Sequence, residues 1–175
     1  MDIIKTDLAG VFLVRAGHKA DPRGYLVRTN CEESFEKANL ETDWVQSSLT
    51  STPQRACLRG MHFQREPHAE IKLVRCVSGV VWDCLVDLRE SSPTYRKWLG
   101  FELSEENGDA VYIPKGIAHG FVTLTAGVRM LYSMSAPYSE KHASGVRWND
   151  PAIGIDWPII PRQIAEKDRR WPLCR

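Results

Sequence analysis

The sequence predicts an all-β fold, a sandwich or barrel with a few short peripheral helices, and three observations predict it. Short runs rich in Val, Ile, Phe, Tyr and Trp recur along the chain with alternating polarity. Gly, Pro, Asn and Ser clusters separate them at short intervals. Helical periodicity is weak and confined to brief segments. The chain has 175 residues, 43% hydrophobic and 26% charged, which suits one globular domain over 1–175 with a full core.

The elements follow in order. Val11–Arg15 is the first β-type run, and Asp21-Pro-Arg-Gly24 is a turn because proline presets its φ and glycine tolerates a positive one. Glu32–Ala38 predicts a short helix. Val45–Thr50, Gly60–Gln64, Ile71–Val77 and Val80–Asp87 are strands by alternation and β-branched content. Trp98–Leu103 lies between the turns Ser92-Pro93 and Asn107-Gly108, and Ala110–Ile113 ends at Pro114-Lys-Gly116. His119–Thr123 and Arg129–Ser135 flank Ala126-Gly127, and Pro161–Asp168 predicts a second short helix. A two-residue turn at Ser78-Gly79 predicts a hairpin pairing Val77 with Val80, Cys76 with Val81 and Val74 with Asp83. Lys72 and Asp83 then become diagonal neighbours on a face shared with Val74, Cys76, Val81 and Leu85, a polar spot in an apolar pocket.

A net charge of +1 gives no footprint for nucleic acid or a membrane surface. The C-terminal excess of Arg162, Lys167, Arg169, Arg170 and Arg175 over Glu166 and Asp168 reads as a solvated chain end. The five cysteines are odd in number and form no C-x-x-C pair, so neither a disulfide framework nor a zinc knuckle is indicated. With no long apolar stretch or cleavage signal, these features predict a reduced, cytoplasmic protein.

Chemistry concentrates in Arg59-Gly-Met-His-Phe-Gln-Arg-Glu-Pro-His-Ala-Glu-Ile-Lys72. Alternation puts Gly60, His62 and Gln64 on one face and points Arg59 away, unless Gly60 permits a bulge. His62 can accept a proton near neutral pH, and Lys72 on the next strand can neutralise charge developing on an oxygen. That pair suits proton abstraction beside a carbonyl. On local pattern alone, Tyr138 also fits a rim aromatic, Arg23 a turn residue, and Lys167 and Asp168 helix-end charges.

Pro114-Lys-Gly-Ile-Ala-His119 has the P-x-G-x-x-H form of the second cupin motif, so the chain resembles a double-stranded β-helix, or jelly roll. The first cupin motif is partial, with His62-x-Gln64 in place of H-x-H; an amide is a poor metal ligand, which speaks against a metal centre. His68 and Glu70 are the available stand-ins for one.

The chain resembles the dTDP-4-dehydrorhamnose 3,5-epimerase family over nearly its whole length. The matching motifs are Asp21-x-Arg-Gly24, Leu58-Arg-Gly-Met-His-Phe-Gln64, Lys72-Leu-Val-Arg75, Gly79-Val-Val-Trp-Asp83, Val86-Asp-Leu-Arg89 and Ser92-Pro-Thr94. They continue through Ile113–Phe121, Tyr138, Gly145-Val-Arg-Trp-Asn-Asp-Pro151, Ile155-Asp-Trp-Pro158 and Glu166-Lys-Asp168. The resemblance implies a metal-free cupin that dimerises through its N-terminal strand, needs no cofactor and acts on a nucleotide-linked 4-keto-6-deoxyhexose. It implies His62 as base, Asp168 as its orienting partner, Tyr138 as the acid on the opposite sugar face and Lys72 as enolate stabiliser. Arg23, Arg28, Gln46, Ser48, Arg59, Asp83, His119 and Lys167 fall at or beside substrate-binding positions.

The chain departs from the family pattern at the nucleotide pocket and the acid loop. Arg28 stands where the family has glutamate, Ser48 where it has asparagine, and Pro137 where it has an aromatic ahead of Tyr138. These departures point to a divergent member, serving another nucleotide or inverting one carbon. Competing readings are a cupin ketoisomerase, a metal-dependent cupin using His62, His68 and His119, and a non-catalytic sugar-nucleotide barrel.

Overall fold

The computed structural model describes residues 1–174; Arg175 of the basic chain end lies outside them. The first strands are β1 (Asp2–Lys5), β2 (Phe12–Arg15), β3 (Lys19–Asp21) and β4 (Gly24–Leu26), followed by helix α1 (Glu32–Lys37). Next come β5 (Gln46–Thr52), β6 (Cys57–Gln64), β7 (Lys72–Ser78), β8 (Val80–Asp87) and β9 (Trp98–Ser104). The chain ends with β10 (Ala110–Ile113), β11 (Ile117–Thr123), β12 (Val128–Met134), β13 (Ala143–Gly145), β14 (Gln163–Ile164) and α2 (Glu166–Arg169).

One sheet runs β1-β2-β10-β7-β12-β5 and the other β13-β6-β11-β8-β9, with β14 added parallel to β6. Between them lies a core that includes Val74, Cys76, Leu85, Phe121 and Met130, each at most 2% exposed. The jelly-roll expectation therefore holds. Helix α1 carries acids in its first turn and Lys37 in its last, complementing its dipole, and buries Phe35 on the outer face of the first sheet. Full burial of such a side chain contributes roughly 1.5–3 kcal/mol.

The predicted hairpin at Ser78-Gly79 does not form. β7 pairs with β10 and β12, whereas β8 pairs with β11 and β9, so the chain crosses from one sheet to the other at this corner. Gly79 has φ +76°, and a Cβ there would lie 2.7 Å from Thr125 Oγ1. Lys72 and Asp83 thus project from opposing sheets instead of one ladder. Both arrangements bury the same face of each strand, so alternation cannot distinguish a hairpin from a crossing.

The predicted helix over Pro161–Asp168 is replaced by β14 and the short α2. The amides of Arg162 and Gln163 donate to Ala56 O, drawing this segment against β6 before α2 begins. The alternation that would point Arg59 away from His62 is broken by a bulge at Gly60. His119 pairs with His62 and Phe121 with Arg59, so β6 spends one more residue than β11 over the same span. Gly60 has φ +143°, and a Cβ on it would stand 2.5 Å from Gly120 Cα.

Candidate active site

A cleft of about 850 Å³ opens between the sheets. Strand β6 brings Arg59, His62 and Gln64 to its wall, and the bulge is why Arg59 shares that wall with His62. His62 Nε2 lies 2.6 Å from Asp168 Oδ1, and the amide of Gly60 donates to Asp168 Oδ2 at 3.3 Å. The Asp168 side chain is 2% exposed. Burial raises its carboxyl, but the hydrogen bond and charge of His62, the Gly60 amide and Lys167 outweigh that and hold it below the ordinary carboxylate range. With Nε2 engaged, Nδ1 is the ring nitrogen left without that partner. The edge of Trp171, 5.9 Å between centroids, packs against the ring.

Lys72 enters from the opposite sheet. Its Nζ is 2.8 Å from Glu70 Oε1 and donates to His62 O at 3.4 Å. Behind it, Tyr132 on β12 pairs with Val74, and Met134 pairs with Lys72, so Tyr132 and Lys72 face the cleft from neighbouring strands. Burial, and after it the charge of Asp83, push the Tyr132 phenol well up, leaving it protonated at neutral pH. His119 is the cross-strand partner of His62 and lies 2.7 Å from Asp83 Oδ2; Asp83 is fully buried behind it, away from the cleft surface.

Tyr138 stands at the rim, 62% exposed. Two glutamines grip its loop. Gln46 Oε1 accepts from the Tyr138 amide at 3.0 Å, and Gln64 Oε1 accepts from the Ser139 amide at 2.5 Å. Gln64 Nε2 donates to the carbonyls of His68 at 2.8 Å and Pro137 at 3.3 Å. The residue at the cupin ligand position therefore anchors the loop that carries Tyr138. His68, the proposed stand-in ligand, stacks on His142 at 4.4 Å. Among the described residues no group of three or more His, Cys, Asp and Glu is placed to hold a metal ion.

A histidine paired with a buried carboxylate thus shares one cleft with an ammonium that enters from the facing sheet. The family model for dTDP-4-dehydrorhamnose 3,5-epimerase matches residues 5–175. The chain belongs to the dTDP-4-dehydrorhamnose 3,5-epimerase family. The family's enzyme from Sinorhizobium fredii is 44% identical over 169 residues, covering 95% of this chain and 87% of that protein. A dTDP-4-dehydrorhamnose 3-epimerase of Streptomyces niveus is 33% identical, covering 93% of this chain and 78% of that one. The crystal structure of the 3,5-epimerase from Bacillus anthracis, with TDP and pyrophosphate bound, superposes with a TM-score of 0.95 at 34% identity over 99% of both chains.

Of the residues expected at this epimerase site, His62, Lys72, Asp168, Tyr138, Gln46, Ser48, Arg59, His119 and Lys167 line the cleft or complete its His–Asp pair. Arg59 Nε donates to Thr52 Oγ1 at 3.0 Å, which steadies its guanidinium at the mouth. Arg23 and Arg28 are not in this cleft. Arg23 is 90% exposed and pairs with Asp21 in its own turn at 2.6 Å, and Arg28 lies exposed beside Cys31. The cleft also holds Glu70, Tyr132 and Trp171, which sequence reasoning missed. Tyr132 was findable: Met130, Tyr132 and Met134 share one face of a strand by alternation. Trp171 gives no such signal, because only the return of the C-terminal segment onto β6 brings it to His62.

Proposed function

We propose that this protein inverts C3, C5 or both of a nucleotide-linked 4-keto-6-deoxyhexose. The observation that carries the reading is the His62–Asp168 pair sharing the cleft with the Lys72 ammonium, which comes from the facing sheet. His62 Nδ1 removes the proton from a carbon next to the C4 carbonyl. The C–H electron pair moves into the carbonyl, and the resulting enolate oxygen is met by Lys72. Asp168 holds the tautomer and stabilises the imidazolium that forms. A phenol on the other sugar face then donates a proton to the same carbon, inverting it. Every step is a proton transfer, so the reaction balances with these side chains.

Two phenols line the same cleft as the base. The family resemblance nominates Tyr138; the geometry favours Tyr132, which is desolvated inside the cleft with its ring 6.0 Å from that of His119, while Tyr138 is exposed at the rim. We assign the donor to Tyr132. Incubation of substrate in deuterated water tests both assignments by mass and product analysis. Wild type places deuterium at C3, C5 or both with the C4 ketone retained; a shifted ketone signals a ketoisomerase instead. Tyr132→Phe is expected to lower inversion by about 10²–10⁴-fold, and Tyr138→Phe by less. The reverse order returns the donor to Tyr138.

Arg59, His119 and Lys167 suit the pyrophosphate and sugar, since fixed cations and donors at the mouth recognise phosphate. The functional unit is a homodimer in this reading. Tyr25 and Leu26 are 54% and 64% exposed on the β3–β4 hairpin, and Val45 and Leu49 are 54% and 61% exposed at the edge strand β5. Pairing these surfaces across two copies would cover them and carry Arg23 and Arg28 toward the partner's cleft. Free cysteines at positions 31, 57, 76, 84 and 174 accord with a reducing cytoplasm. Among the described residues no helix is long and apolar enough to cross a membrane.

A further inference from the structure

Glu70 is a buried carboxylate of the cleft that the reaction above leaves unused. Its side chain is 4% exposed, with Oε1 2.8 Å from Lys72 Nζ. The other oxygen, Oε2, is buried and accepts no hydrogen bond among the described residues. A half-satisfied buried carboxylate is costly to fold, so stability gives no reason for it here. What it touches does. Lys72 comes from the first sheet and its Nζ reaches the carbonyl of His62 on the second, so Glu70 fixes an ammonium that spans the two walls.

Lysine is a point charge on a flexible four-carbon stem. Its value to an enolate depends on being at the oxygen before charge develops there. We propose that Glu70 is a positioning residue that holds the Lys72 ammonium in place for the enolate step. The inference rests on the reading of Lys72 as enolate stabiliser. Glu70 acts through the ion pair that Oε1 makes with Nζ at 2.8 Å. Glutamine keeps a polar oxygen at that point but loses the charge, so it substitutes in part; leucine removes both.

The test uses the full chain and compares wild type, Glu70→Gln, Glu70→Leu, Lys72→Met and the Glu70→Leu/Lys72→Met pair. Solvent-deuterium exchange gives kcat and KM, and acetylation of Lys72 by acetic anhydride, read by peptide mass spectrometry, reports on the ammonium without turnover. Glu70→Leu is expected to lower kcat by about 10–100-fold with KM nearly unchanged, the scale of a misplaced catalytic group. Glu70→Gln falls between wild type and Glu70→Leu, and Glu70→Leu costs nothing further once Lys72 is methionine. Lys72 acetylates faster in Glu70→Leu than in wild type. The double variant melts no lower than wild type, since it removes both members of a buried pair.

Wild-type kcat and unchanged acetylation in Glu70→Leu overturn the proposal. So does an equal loss on adding Glu70→Leu to Lys72→Met, because Glu70 would then not act through the lysine. If Lys72→Met itself keeps wild-type exchange, the role of Lys72 in the reaction fails, while faster acetylation in Glu70→Leu still supports Glu70 as the group that holds it.

Discussion

A histidine that takes a proton from carbon needs one nitrogen free and the other committed. His62 meets this through Asp168, whose carboxylate is kept ionised against its burial by the imidazole, the Gly60 amide and Lys167. Asp168→Asn keeps the shape but removes the charge that stabilises the imidazolium. Exchange into deuterated water is expected to fall on the order of 10²-fold, with nucleotide affinity unchanged by calorimetry. Equal loss of affinity would mean that Asp168 serves binding. The residue scale also separates the two histidines. His62 is partly exposed, whereas His119 is 5% exposed and fixed by a fully buried Asp83, which accords with the proposed division between a base and a binding group.

At the scale of elements, the loop carrying Tyr138 is held from below by Gln64, which contacts the main chain at Pro137 and Ser139. Gln64→Leu leaves those groups unsatisfied, at a cost of about 1–3 kcal/mol. We expect a lower melting temperature, and a fall in kcat if the rim aromatic must close over the sugar; unchanged melting would show that the loop is held elsewhere. A second device lies after β8. Asp87 accepts from Arg89 Nε at 2.8 Å, Ser92 Oγ at 2.5 Å and Thr94 Oγ1 at 2.6 Å, while Arg89 reaches Ala9 O at 2.6 Å. Burial opposes ionisation of Asp87, but these donors prevail and bring its pKa from 3.8 to about 2. A depressed carboxyl stabilises the fold fully above its unfolded pKa and loses that stability as pH falls toward the folded one. The contribution is roughly 2 kcal/mol at neutral pH, lost between about pH 4 and pH 2. Denaturant melts of Asp87→Asn should lie below wild type at pH 7 and approach it near pH 2.

At the scale of the molecule, the cleft in one chain has cations at its mouth but lacks Arg23 and Arg28, which sit on an exposed hairpin. Sedimentation is expected to give a dimer for wild type, and Leu26→Glu to weaken it by placing a charge in its apolar contact. The same variant should bind nucleoside diphosphates less tightly if the arginines work across the interface. Monomeric wild type with full affinity would remove the idea. Titration with thymidine, uridine, cytidine and guanosine diphosphates addresses the nucleotide, where Arg28 and Ser48 depart from the family pattern; clear preference for thymidine would show that these departures leave the base pocket unchanged.

Most strands were legible because a jelly roll buries one face of each, and Ala110–Ile113 and Val80–Asp87 have the bounds that alternation predicts. The small N- and C-terminal strands were not, since β1, β13 and β14 owe their form to partner strands more than to their own pattern. By itself the sequence determined the class of fold, singled out His62 and Lys72 as candidates and, through its ordered motifs, gave the family. Only the tertiary structure decided that β7 and β8 part company at Gly79, that Lys72 is clamped by Glu70, and that Tyr132 lines the same cleft as His62. Alternation tells which side of a strand is buried; which strand lies across from it depends on contacts far apart in the chain.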